Sequence, residues 1–92
     1  MRELKWTDKA LSDLARLYES LAPVNRPAAA RAVQALTKAR TILLTNPRIG
    51  DQLFQFEPGE VRRILVGEYE VRYEIQDLII YVLRLWHTRE DR

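Results

Sequence analysis

The chain has 92 residues, of which 47% are hydrophobic and 30% are charged, and its formal net charge is +2. This length predicts one domain over residues 1–92 with a small core, and the composition excludes a disordered chain. The absence of Cys excludes a disulfide scaffold and a thiolate metal site, and it fits a reducing cytoplasm.

No apolar leader follows the first residue, and the longest apolar run, Leu78 to Leu83, is too short to cross a bilayer. We therefore expect a cytoplasmic protein with no membrane partner. The basic residues are concentrated in the first half: residues 1–46 carry eight Lys/Arg and four Asp/Glu, and residues 47–92 carry seven and nine. A nucleic-acid binder needs a stronger basic patch, so the charge favours one only weakly.

The first half predicts a short strand and two helices. Residues 2–6 alternate apolar and charged positions, as a half-buried strand does. Thr7 is the expected N-cap of the first helix, and Pro23 ends it. Asn25 and Pro27 begin the second helix, which Asn46-Pro47 closes. We expect inward stripes at Leu11, Leu14, Leu17 or Tyr18 and Leu21 on the first helix, and at Ala29, Val33, Leu36 and Leu43 on the second.

The second half predicts an irregular segment followed by three strands. Phe54 and Phe56 lie in the irregular segment and are expected to pack against the sheet. The strands are Val61–Val66, Tyr69–Gln76 and Leu78–Trp86, with turns at Gly67 and Asp77. In the middle strand Tyr69, Val71, Tyr73 and Ile75 share one face, and charged residues share the other.

These elements predict an α+β fold of order β-α-α-β-β-β. An antiparallel helical hairpin packs on one face of a small, mostly antiparallel sheet. The opposite, open face is expected to carry Arg72, Arg84 and either Arg62 or Arg63. Arg72 is expected to pair across strands with a neighbouring carboxylate. If odd-numbered residues of the last strand face the helices, Leu83 joins the core and Trp86 is open.

The ordered set of motifs resembles the ParE/RelE superfamily of bacterial type II toxins. The matching features are ALSDL (Ala10–Leu14), LLTNPRIG (Leu43–Gly50), VGEYEVRYEI (Val66–Ile75) and the ending VLRLWHTRED with its His87-x-Arg89 pattern. Trp6 and an alanine-rich second helix also match, and the resemblance covers nearly the whole chain. It implies a growth-arresting toxin from a toxin–antitoxin, or plasmid stabilisation, module whose partner is a cognate antitoxin. ParE relatives inhibit DNA gyrase, and RelE relatives cleave mRNA, usually in the ribosome.

A nuclease needs groups that move protons and cations that stabilise the phosphate. Arg62, Arg72 and His87 are the candidates if the chain is a metal-independent endoribonuclease. RelE-type nucleases are typically rich in Lys and carry a C-terminal helix with a Tyr. This sequence has no Lys after Lys38, and only five residues follow His87. These departures favour the ParE branch.

The preferred interpretation is a non-enzymatic toxin that binds its target through Arg84, Trp86, His87 and Arg89, because exposed Trp beside Arg is typical of an interface. Gyrase is the implied target. The alternative is the RelE-type mRNA endonuclease, acting on or off the ribosome, and an inactive relative is a third possibility. With one His and no Cys, we expect no metal site and no cofactor.

Overall fold

The computed structural model describes residues 2–89. Within this range the chain forms two α-helices and a five-stranded sheet. In chain order the elements are β1 Glu3–Trp6, α1 Asp8–Leu21, α2 Arg26–Thr45, β2 Asp51–Gln52, a 3-10 helix Phe54–Phe56, β3 Glu60–Val66, β4 Tyr69–Gln76 and β5 Ile79–His87. The expected α+β fold is confirmed, with one short additional strand inside the segment expected to be irregular. Neither helix is long and apolar enough to cross a membrane within the described range.

Both helices begin at the caps that the sequence predicts. The Thr7 side chain accepts a hydrogen bond from the Ala10 N–H at 3.1 Å, and Asn25 does the same for Ala28 at 3.0 Å. Each cap satisfies one of the free N–H groups in a first helical turn. The Thr7 hydroxyl also donates to the Val82 carbonyl at 2.9 Å, so it ties the start of α1 to β5.

The helices are rotated slightly from the predicted orientation. Ala10 and Leu17 of α1 are buried, whereas Leu11 is half exposed. On α2 the buried residues are Ala29, Ala32, Leu36, Ala39 and Leu43. Val33 is exposed, so placing Leu11 and Val33 inside was wrong. Small alanines line the buried stripe of α2 because the helix lies close to its neighbours, and the larger Val33 faces solvent.

The strands lie in the order β1-β5-β4-β3-β2. β1 pairs in parallel with β5, and every other neighbouring pair is antiparallel. The helix-facing side of β4 is Tyr69, Val71, Tyr73 and Ile75, all buried as predicted. Register places Ile80, Val82 and Leu85 of β5 on the same side. The core therefore lies between this face and the helical hairpin.

A β-bulge changes which residues of β5 face the core. Arg72 is opposite Arg84 while Tyr73 is opposite Val82, so Leu83 is an extra residue in β5. Before the bulge the even-numbered residues face the helices, and after it the odd-numbered residues do. The expectation that Leu83 belongs to the core was wrong, because Leu83 is the bulge. Trp86 does lie on the open face, as expected.

The segment that joins α2 to β3 is fixed by one buried tyrosine. The Tyr73 hydroxyl donates to the Pro47 carbonyl at 2.7 Å and accepts from the Gly50 N–H at 3.0 Å. Burial raises the pKa of Tyr73 above its ordinary 10.0, so the hydroxyl keeps its proton for this role. Phe54 was expected to pack on the sheet but is 65% exposed. Phe56 does reach the sheet, where it contacts Arg72.

Candidate functional site: the open face of the sheet

Three arginines lie side by side across the open face. Arg63 of β3 is the register partner of Arg72 in β4, and Arg72 is the partner of Arg84 in β5. Because side chains alternate between faces, the neighbouring Arg62 points to the helix side with Tyr73. The structure therefore resolves the choice left open by the sequence: Arg63 faces the open side and Arg62 does not.

Two aromatic rings alternate with two of these arginines. The Arg72 guanidinium carbon lies 5.3 Å from the centre of the Phe56 ring and 4.8 Å from that of Trp86. The Arg84 guanidinium lies 5.4 Å from the Trp86 ring. These distances are within the range of cation–π attraction. We call Phe56, Arg72, Trp86 and Arg84 the ladder.

Asp13 of α1 holds one end of the ladder. Its carboxylate accepts from Arg84 Nε at 2.7 Å and Nη2 at 3.1 Å, from Arg16 at 2.7 Å and from the Leu85 N–H at 3.0 Å. Burial raises the pKa of Asp13, but the hydrogen bonds from Arg84, Arg16 and Leu85 outweigh it, so the pKa lies below its ordinary 3.8. The hydrogen bond from Arg84 to Asp13 in turn raises the pKa of Arg84. Asp13 thus occupies the edge of β5 beyond the end of β1 and fixes the Arg84 side chain.

Arg72 differs from the arginines beside it. Arg63 has Glu70 at 3.3 Å and Arg84 has Asp13, whereas Arg72 makes neither an ion pair nor a hydrogen bond with any residue from 2 to 89. Its Nε is buried and has no acceptor in that part of the chain. The expected cross-strand pairing of Arg72 with a carboxylate was wrong; Arg72 contacts the rings of Phe56 and Trp86 instead.

The contacts of Arg62 stabilise the fold. Its Nε donates to Glu60 at 2.9 Å, and its Nη1 donates to the Gly50 carbonyl at 2.7 Å. Arg48 donates to the same Glu60 at 2.8 Å. The hydrogen bond from Arg48, together with that from Arg62, outweighs the effect of burial and lowers the pKa of Glu60. Arg62 therefore helps Tyr73 to hold the segment before β3.

His87 and Arg89 lie apart from the ladder. Register pairs His87 with Tyr69 on the helix side, and the two rings make an edge contact at 5.3 Å. The His87 Nδ1 accepts from the Arg89 N–H at 3.1 Å, and its Nε2 lies 3.5 Å from Glu68. Arg89 and His87 line a cleft of about 260 Å³ beside the end of α1. The four residues expected to form one edge thus divide between two faces.

The nuclease constellation is not brought together either. Arg72 is on the open face, whereas Arg62 and His87 are on the helix side and near opposite ends of β3 and β5. The structure therefore does not bring these three side chains together. Residues 2–89 also contain no group of three His, Cys, Asp or Glu side chains placed to hold a metal ion.

The sequence is similar to a family of known toxins. The family model of the ParE toxin of the type II toxin–antitoxin system parDE matches residues 4–92. The chain belongs to this family. A solved structure of the chromosomal ParDE toxin–antitoxin system from P. aeruginosa contains a chain that is 26% identical, with a TM-score of 0.74 over 95% of this chain and 96% of that one. No curated protein matches the sequence.

The protein is therefore a ParE-type toxin of a type II toxin–antitoxin system, and membership implies an antitoxin partner. Sequence reasoning did not place Asp13, Phe56 or Arg63 among the functional residues, although it expected Phe56 to pack against the sheet and gave Arg63 as one of two candidates for the open face. Asp13 had a detectable signal, because it follows Ala10 by three residues and precedes Leu17 by four, on the inward face of α1. A carboxylate at such a position requires a buried partner.

Proposed function

We propose that this ParE toxin arrests growth by binding DNA gyrase stoichiometrically, and that the ladder is its contact surface. The observation that carries the proposal is Trp86, half-buried on the open face between the guanidinium groups of Arg72 and Arg84. Trp and Arg are the side chains most enriched among residues that dominate binding energy. Packing between cations holds the indole in one orientation, so little side-chain entropy is lost on binding.

The four predicted target-binding residues should contribute unequally to binding. Arg84 and Trp86 belong to the ladder and make the main contact. His87 and Arg89 lie around the end of β5 and contribute at its rim. A gyrase target places the toxin in the cytoplasm, and the antitoxin releases the arrest, which makes the pair suited to plasmid stabilisation.

The competing function is the RelE-type cleavage of mRNA. No observation favours it, because Arg62 and His87 are engaged on the helix side and Arg72 is separated from them. A direct comparison uses the purified toxin in a gyrase supercoiling assay and in an mRNA cleavage assay with and without ribosomes. We expect inhibition of supercoiling and intact transcripts. Specific cuts that disappear in His87→Ala or Arg72→Ala would refute the gyrase proposal.

Trp86→Ala tests the contact surface. We expect roughly a 30-fold or greater loss of gyrase inhibition, since residues of this kind contribute about 2 kcal/mol or more to binding. Phe54→Ala is the matched control, because Phe54 is an exposed aromatic residue outside the ladder. Equal inhibition by the two variants would show that the open face is not the contact. Circular dichroism establishes that both variants are folded.

A further inference from the structure

Within residues 2–89, one arginine of the open face makes no ion pair with a carboxylate. Of the three arginines in the row, Arg63 is 3.3 Å from Glu70 and Arg84 is 2.7 Å from Asp13. Arg72 lies between them and has no carboxylate partner among residues 2–89. A guanidinium is charged at any physiological pH and favours an anionic partner when it is withdrawn from water. Of the three arginines, Arg72 is thus the one that an external anion would stabilise most.

The guanidinium of Arg72 and the rings beside it favour a planar anion. The centres of the Phe56 and Trp86 rings lie 5.3 and 4.8 Å from the guanidinium carbon, so aromatic rings occupy part of the space around the guanidinium and a ligand reaches it through the remainder. Edge-on approach presents parallel N–H groups that match the two oxygens of a planar carboxylate. The rings also exclude water, which strengthens a charged hydrogen bond formed there.

The surrounding charge disfavours a polyanion. Glu70 and Glu74 alternate with Arg72 along β4 on the same face, and Asp13 lies at its margin. The three arginines are therefore balanced by three carboxylates. Nucleic-acid surfaces neutralise several phosphates with a net excess of cations. Because Glu70 and Glu74 flank Arg72, they repel a ligand with several negative charges more strongly than they repel a single carboxylate.

Apolar side chains lie on both sides of Arg72 and favour a ligand that has apolar groups next to its carboxylate. Register places Leu65 and Trp86 on either side of Glu70, and Leu65 is 61% exposed. Phe56 is exposed at the other side of Arg72. A ligand whose carboxylate reaches Arg72 therefore also contacts apolar side chains in both directions.

We infer that Arg72 anchors a carboxylate, and that the ladder binds an Asp or Glu side chain flanked by apolar residues in a polypeptide segment of the target. The choice of target rests on the proposed function. The carboxylate chemistry of the site rests on the contacts around Arg72 and does not depend on which protein is the target. Two separate measurements therefore test the gyrase target and the carboxylate site independently.

The first measurement is binding of the full-length toxin to gyrase as a function of salt. We expect Arg72→Lys and Arg72→Gln to weaken binding about tenfold or more, because Lys retains the charge but loses the planar fork. Arg63→Gln, in the same row, has its own carboxylate and should change binding less than about threefold. We expect affinity to fall only weakly with salt; Arg72→Gln should lose this dependence, whereas Arg72→Lys, which keeps the charge, should retain it. A slope corresponding to several phosphates would overturn the inference.

The second measurement does not require gyrase. The Nε–H of Arg72 is buried, so its ¹⁵N-coupled proton signal reports directly on the site, and Arg72→Lys assigns it by removing it. The probes are acetyl-Leu-Glu-Leu-amide, its Gln counterpart, inorganic phosphate and a six-nucleotide RNA, all at equal ionic strength. We expect a saturable shift with the Glu peptide and a much smaller one with the other three.

The outcomes separate the two proposals. If the toxin does not bind gyrase but the Glu peptide shifts the signal, the gyrase target fails and the carboxylate site stands. A preference for RNA or phosphate, or no response to any probe, refutes the carboxylate site. A last control is the double variant Glu90→Gln, Asp91→Asn, measured without any probe. If its Arg72 Nε–H signal differs from that of wild type, a carboxylate of the chain itself already binds Arg72, and the inference is refuted.

Discussion

Removal of the Asp13 carboxylate should be among the most damaging single changes to this fold. The side chain is 4% exposed and accepts four hydrogen bonds from Arg84, Arg16 and Leu85. Breaking a fully buried ion pair costs about 3–5 kcal/mol. The Arg84 and Arg16 side chains are 36% and 46% exposed, so their guanidinium groups recover part of their hydration. We therefore expect Asp13→Ala to lower the free energy of unfolding by about 2–3 kcal/mol.

The assay is thermal and urea unfolding followed by circular dichroism. For a chain of this size about 2–3 kcal/mol corresponds to a fall in Tm of roughly 10–20 °C. Asp8→Ala is the matched control: it removes a carboxylate from the same helix, but Asp8 is exposed and acts only on the first turn. We expect it to cost less than about 1 kcal/mol. Similar losses in the two variants would refute the assignment of Asp13 as the link between α1 and β5.

The pH dependence of Asp13 provides a second check. Its folded-state pKa lies below the ordinary 3.8, so the unfolded chain binds the proton first as the pH falls. The stabilisation is therefore complete above this value and is lost as the pH drops below it. Asp13→Asn removes the titrating group, so the difference in stability between wild type and variant should shrink below pH 3.8. A difference that stays constant with pH would contradict the ion pair.

Three further changes test other parts of the fold, each by urea unfolding. Tyr73→Phe leaves the buried Gly50 N–H without its acceptor and should cost about 1–3 kcal/mol, whereas Tyr18→Phe, at an exposed tyrosine, should change stability by less than about 0.5 kcal/mol. Gly50→Ala places a Cβ 2.5 Å from the Arg63 carbonyl oxygen. At Gly67 the added Cβ would have no such neighbour within 4 Å, and only the positive φ opposes Gly67→Ala, which should cost about 1 kcal/mol. We expect Gly50→Ala to cost more than Gly67→Ala. Thr7→Ala removes both the N-cap of α1 and the bond to β5 and should cost about 1–2 kcal/mol. Equal stability of either matched pair, or a Thr7 variant as stable as wild type, would contradict the corresponding contact.

Local patterns in the sequence determined the elements and much of their order. Thr7 and Asn25 identify helix starts because a cap interacts with residues only three positions away. The alternation from Tyr69 to Ile75 identifies the buried face of β4 because side-chain direction in a strand has a period of two. Such signals need no knowledge of distant residues, and the resemblance to the ParE/RelE toxins arises from the same ordered motifs.

The tertiary structure alone decided how the faces combine. Leu83 could not be placed from parity because a bulge breaks the alternation, and Leu11 and Val33 could not be placed because the rotation of a helix depends on what it packs against. The ion pair of Asp13 with Arg84 spans 71 positions in the sequence. The ladder draws Phe56, Arg72 and Trp86 from three segments whose register no local pattern fixes. A sequence specifies the chemistry of each side chain, but the contact between two of them depends on the packing of the whole chain.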